Sequence, residues 1–181
     1  MVYVFLADGF EPIEAITPVD MMRRACIDVT TVSIMDSVMV KGGRGITVEA
    51  DAMFGDVDFS DADMLILPGG QPGTMNLGNF RPLCQLLLDF NDADAPLAAI
   101  CAAPSILGKL GILKGLTATI FPGCDEGIEG VRFTDALVEH DRNIITAKGP
   151  AAAALFGAEI IKTLKGEQMM KAVMSGMQFQ V

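Results

Sequence analysis

The sequence predicts an α/β fold on a mainly parallel sheet. Three features carry that expectation. Pro96 to Ile100 runs apolar without a charge, Val2–Ala7 reads the same way, and Asp63–Leu67 does so after its first residue, as strands covered on both faces should. Segments with helical apolar spacing stand between these runs, the alternation that builds parallel sheets. Corners containing Gly, Pro or Ala follow the strands directly. Ligands of such sheets bind beyond the carboxyl ends of the strands. The loops Asp8–Pro12, Pro68–Gly73 and Ile100–Ala103 are therefore the candidate site.

Taken in order, Met1–Leu6 is the first strand. A helix follows, with Pro12 near its start, an apolar stripe of Ile13, Ile16, Val19, Met21 and Met22, and an end near Ala25. Ile27–Ile34 is rich in β-branched residues and reads as a second strand. Asp36–Gly45 reads as a loop, and Ile46–Ala50 alternates like one arm of a small hairpin off the main sheet. After the strand Asp63–Leu67, Phe80–Phe90 has helical spacing, with Leu83, Leu86, Leu87 and Phe90 inward. The strand ending at Ile100 leads into a helix that runs to Leu110. Leu116–Phe121, Val131–Phe133, Leu137–Glu139 and Asn143–Ala147 are short strand candidates. Pro150 opens the last long helix, and Gly166 separates it from a short terminal one. The Ala151–Ala154 run reads as close helix packing. With no linker or repeat, 1–181 reads as one domain.

Composition narrows the classes of partner. Half of the 181 residues are hydrophobic, which excludes a disordered chain. The net charge of −10, without a Lys/Arg cluster larger than two, argues against nucleic acid or an anionic membrane. No apolar run approaches a membrane span. The N-terminal run has no basic residues before it and ends at Asp8, so it reads as a strand and not an export signal. Cys26, Cys84, Cys101 and Cys124 are scattered, and read as reduced thiols of a cytoplasmic protein. With one histidine, His140, and no Cys-x-x-Cys, neither a metal site nor a cofactor is expected.

Cys101 is placed where a strand meets a helix, in Ile100-Cys101-Ala102-Ala103-Pro104-Ser105. That is the layout of a nucleophile elbow with sulfur in place of oxygen. Free amides and the positive end of a helix favour thiolate there. The alternative is that a lone cysteine among alanines only packs. Glu14, in the first turn of the first helix, is either a solvated residue favoured by the helix dipole or a carboxyl facing Cys101. In the second case desolvation raises its pKa, so that it stays protonated and donates to sulfur. Gly69 and Gly70, after a buried strand, together with the Ala102 amide, offer an oxyanion site; a plain glycine turn is the alternative. His140 sits among polar residues at an expected hairpin tip, which makes it a surface residue and leaves no Cys–His–acid triad. Cys26 and Cys84 read as packing or capping residues.

Ala99–Pro104, Leu67–Gly70, Glu11–Ala15 and Pro18–Ala25 together resemble the ThiJ/PfpI family, close to the branch of the parkinsonism-associated deglycase and its bacterial relatives. The likeness runs from Met1 to about Gly166. It implies a flavodoxin-like three-layer sandwich of the class I glutamine amidotransferase-like type, with helices on both faces, and a homodimer. It also implies a reactive Cys101, a protonated Glu14 and an oxyanion role for Gly69-Gly70. Arg44 falls where the family places an arginine reaching the partner's site, and Gly149-Pro150 matches a pocket wall. In the deglycase branch a histidine stands near the cysteine; by register Gly130 takes that place here. The peptidase branch has histidine directly after the cysteine, where this chain has Ala102, which argues against peptidase activity.

Two functions follow as expectations. One is an enzyme handling reactive α-oxoaldehydes or glycated adducts through a hemithioacetal on Cys101, with Glu14 as proton relay. The other is an oxidation sensor or chaperone-like stress protein that uses a low-pKa Cys101 without turnover.

Overall fold

A computed structural model describes residues 1–180. The central sheet is built from β1 (Val2–Leu6), β2 (Val29–Ser33), β5 (Ala52–Met53), β6 (Met64–Leu67), β7 (Leu97–Ile100), β10 (Val138–Asp141) and β11 (Ile144–Ala147). Their spatial order is β10-β11-β7-β6-β1-β2-β5. Every neighbouring pair is parallel except β10 with β11. Two small ladders stand apart: antiparallel β3 (Met39–Lys41) with β4 (Thr47–Glu49), and parallel β8 (Thr117–Thr119) with β9 (Arg132–Thr134).

The pleat sends alternate residues of each central strand to opposite faces. On β1, Val2, Val4 and Leu6 pack with α1 (Pro12–Arg24), α5 (Ala153–Lys165) and α6 (Glu167–Gly176). Tyr3 and Phe5 pack on the other side with α2 (Gly73–Asn79), α3 (Arg81–Asp92) and α4 (Pro104–Lys109). Both faces are covered, so the central strands are apolar throughout, and the result is the expected α/β sandwich. Gly157 of α5 lets α1 approach: a Cβ there would meet Met21 Sδ at 2.8 Å.

Several expectations change. Ile13 and Ile16 are 53% and 39% exposed. Val19, Met21 and Met22 of the expected stripe are buried, but Glu14, Ala15 and Pro18 join them in place of the two isoleucines, because in its first turns the helix presents an adjacent row to the sheet. The segment 36–45 is not all loop, since β3 lies within it. The short strand β5 and the helix α2 add to the expected elements. A 3₁₀ turn, Pro150–Ala152, precedes α5. Cys26 has φ 52° just past α1, a left-handed position that ends the helix.

Candidate active site

Three strand ends converge on Cys101. It follows β7 directly and adopts φ 66°. A left-handed conformation costs a residue with a Cβ about 1–2 kcal/mol, and two long-range bonds hold it. The Cys101 amide donates to the Ala147 carbonyl, and its carbonyl accepts from the Phe121 amide, both at 2.8 Å. Ala103 and Ile106 amides then turn back onto the carbonyls of Ile100 and Ala103, starting α4. This is the expected elbow, and the side chain is 9% exposed.

Glu14 reaches the same point from α1 and is fully buried. Its Oε2 accepts the Gly69 amide at 3.0 Å, and the Gly69 carbonyl accepts the Glu11 amide at 2.9 Å. Oε1 has no conventional hydrogen-bond partner. The carboxyl and the Cys101 thiol are close enough to couple electrostatically. Gly69 is required by space. A Cβ there would lie 2.6 Å from both Cys101 Cβ and Glu14 Oε2. Gly70 is required by space and conformation, with φ 93° and a would-be Cβ 2.4 Å from the Glu11 nitrogen. The Gly70 and Ala102 amides favour the ionised form of the Cys101 sulfur. Glu14, Gly69, Gly70, Cys101 and Ala102 are thus brought together.

Burial raises the Glu14 carboxyl from 4.5 to about 7, against the opposing hydrogen bonds from Cys101 and Gly69. Cys101 moves the opposite way from the expected low-pKa thiol. Burial first, then the Glu14 charge and hydrogen bond, push it up to about 12, while the Ala102 and Gly70 amides pull it down. The two groups titrate as a pair: the first proton leaves near neutrality and the second is held. A thiolate therefore needs the remaining proton to sit on Glu14, where it cancels the charge that opposes sulfur ionisation.

The other expected residues fall at different distances from this centre. Gly149 and Pro150 wall an apolar cavity together with Phe121, whose amide is bonded to the Cys101 carbonyl. Arg44 is exposed at φ 61° on the turn between β3 and β4. That turn leans on the start of α1 through the Gly43 amide, which donates to the Phe10 carbonyl at 2.7 Å. Gly130 is not beside the cysteine. It lies at the far end of the small β8–β9 ladder, its carbonyl taking the Gly115 amide at 2.7 Å. Phe121 is the further residue bonded to the elbow, and its place at the end of the strand candidate 116–121 is the one signal of it in the sequence. His140 lies within β10, not at a hairpin tip, and its Nδ1 is 2.9 Å from Glu159 Oε1. All four thiols are free.

A model of the DJ-1/PfpI family matches residues 1–163. The chain belongs to that family. It is 33% identical over 170 residues to the Parkinson disease protein 7 homolog of Danio rerio, covering 92% of this chain and 90% of that one. Protein DJ-1 homolog B of Arabidopsis thaliana is 35% identical over 170 residues, and the match spans 39% of that longer relative. The crystal structure of Drosophila melanogaster DJ-1beta superposes with a TM-score of 0.94 at 31% identity, covering 99% of this chain and 98% of the other. The structure described as Toxoplasma gondii DJ-1, oxidized, gives 0.93 at 28% identity, with coverage of 99% and 98%. No helix among the described residues of this DJ-1/PfpI protein is long and apolar enough to cross a membrane.

Proposed function

We propose that this DJ-1/PfpI protein is an enzyme of reactive α-oxoaldehydes, free or as glycated adducts, working without a cofactor. The observation that carries the reading is the buried Glu14 carboxyl. One oxygen is fixed by Gly69, the other has no hydrogen-bond partner, and the carboxyl is coupled to a thiol on an elbow served by the Gly70 and Ala102 amides. The Cys101 thiolate adds to the aldehyde carbon, forming the S–C bond and moving the carbonyl pair onto oxygen. The Gly70 and Ala102 amides stabilise that oxyanion as it takes the proton held by Glu14. The Glu14 carboxylate then removes the hydrogen of the former aldehyde carbon and returns it as a proton to the neighbouring carbon, while the hydroxyl proton on the first carbon's oxygen passes to the oxygen of the second. The first carbon is oxidised and the second reduced by the same electron pair, so no external oxidant is needed. Water hydrolyses the resulting thioester to a 2-hydroxy acid and restores the thiol. Formation of lactate from methylglyoxal tests the scheme: Cys101→Ser should abolish it and Glu14→Gln should lower it by roughly 10²–10⁴-fold. Lactate formation that survives Cys101→Ser ends the proposal.

The active unit in this reading is a homodimer in the cytoplasm. Ile13, Ile16, Met39 and Ile46 are exposed on α1 and the adjoining β3–β4 hairpin. Gly42 of that hairpin sits so close to Phe10 and Pro12 that a Cβ would meet either at 3.0 Å, so these apolar residues share one side of the molecule. A second copy would cover them, with Arg44 at the edge of the contact reaching toward the partner's site.

A redox role is the second reading, favoured by the relative described as oxidized. The singly protonated pair would let peroxide convert the thiolate to sulfenate and then sulfinate, releasing water each time, with protonated Glu14 donating to the product. Mild peroxide should then oxidise Cys101 ahead of the exposed Cys26; equal oxidation of all four thiols refutes it.

A further inference from the structure

A cavity of about 280 Å³ that the proposed chemistry leaves unused lies against chain bonded to the Cys101 backbone. Three chain segments wall it, at Phe121-Pro122, at Leu137 and at 148–152, and two of them are tied directly to Cys101. One begins at Phe121, whose amide holds the Cys101 carbonyl. The other follows Ala147, whose carbonyl holds the Cys101 amide. The lining side chains are those of Phe121, Pro122, Leu137, Pro150, Ala151 and Ala152. Lys148 also borders it, but its amine is taken by Asp135 Oδ1 at 2.8 Å. The walls therefore offer no free charge and no free side-chain hydrogen-bonding group. Phe121 is 44% exposed, a large apolar surface kept in contact with water on a residue whose backbone is bonded to that of the nucleophile. Gly149 lets the wall lie flat on that ring, since a Cβ would come within 3.3 Å of it. A concave apolar surface of this size suits one compact hydrocarbon group, and a polyol chain would lose its water there without replacement bonds.

We propose that this cavity receives the substituent of the substrate carbonyl, and that the site prefers α-oxoaldehydes bearing an aryl or branched alkyl group over methylglyoxal or sugar-derived ones. Phe121 is the residue that sets the preference. The inference rests on the aldehyde reading above for its chemistry, but the apolar pocket can be measured without turnover.

The first experiment compares alkylation of Cys101 by 2-bromoacetophenone and by bromoacetone. Each rate is divided by that of N-acetylcysteine and read by mass spectrometry on the full chain. Cys101 should favour the aryl reagent by roughly tenfold or more, whereas Cys26 should show no preference. Phe121→Ser should erase the preference and Phe121→Leu should keep most of it. A wild-type ratio no different from the free thiol overturns the proposal, whether or not the variants fold; so does a ratio unchanged in folded Phe121→Ser. The second experiment compares kcat/KM for phenylglyoxal and methylglyoxal, expected to differ by roughly ten- to hundredfold. Turnover of both without preference overturns the pocket and leaves the catalytic reading standing. No turnover of either, with the alkylation preference intact, upholds the pocket and removes the catalytic reading.

Discussion

Glu14→Gln separates the cost of burying this carboxyl from everything else the side chain does. Gln keeps the shape and keeps an oxygen for the Gly69 amide. The carboxyl ionises at 4.5 when unfolded and at about 7 in the fold. Because its folded value is raised, its contribution to stability is complete below 4.5 and is lost as pH rises through 7. At pH 8 the ionised, fully buried group costs the fold about 3 kcal/mol, most of it lost between pH 5 and pH 8. The variant has no such proton to lose. Urea denaturation at the two pH values should show wild type losing about 2–3 kcal/mol more than Glu14→Gln. That difference corresponds to roughly 1 M in midpoint for a urea slope of about 2 kcal/mol/M. Stability curves that run parallel across this range would show that Glu14 is not a buried acid with a raised pKa. The same variant removes the carboxylate charge that helps hold Cys101 near 12, so the thiol should titrate below that value, as read by the pH dependence of iodoacetamide labelling.

Gly69→Ala should destabilise by about 1–3 kcal/mol and slow Cys101 alkylation, since the new methyl must displace Cys101 or Glu14; urea midpoints and labelling rates check both. Thr146→Val should cost about 1–3 kcal/mol in urea denaturation, because it strips the buried Thr119 amide of its acceptor, Thr146 Oγ1 at 2.9 Å. Ile16→Asp should convert the proposed dimer to monomer in light scattering while leaving the far-UV spectrum intact; a variant that stays dimeric places the contact elsewhere.

What could be read from the sequence was local. The face of α1 was misjudged because two neighbouring apolar rows lie along it, and periodicity alone does not say which meets the sheet. The helix α2 escaped notice because Gly73 and Gly78 and two asparagines give Gly73–Asn79 little intrinsic helix preference; packing of buried Leu77 overrides it. β3 buries only Val40, too little to make a pattern. Phe121 was passed over for Gly130 because register along glycine-rich chain is weakly marked. Backbone bonds to Cys101 decided it.

The sequence by itself determined that strands alternate with helices, that a cysteine ends a buried strand, and that a glutamate and two glycines leave neighbouring strand ends, because these follow from patterns a few residues long. Only the tertiary structure decided that Glu14 is sealed from water against an amide 55 residues away, that sulfur and carboxyl are coupled, and that the Phe121 amide is bonded to the Cys101 carbonyl. Burial and coupling arise between residues far apart in the chain, and it is the packed fold that sets the distance and the dielectric between them.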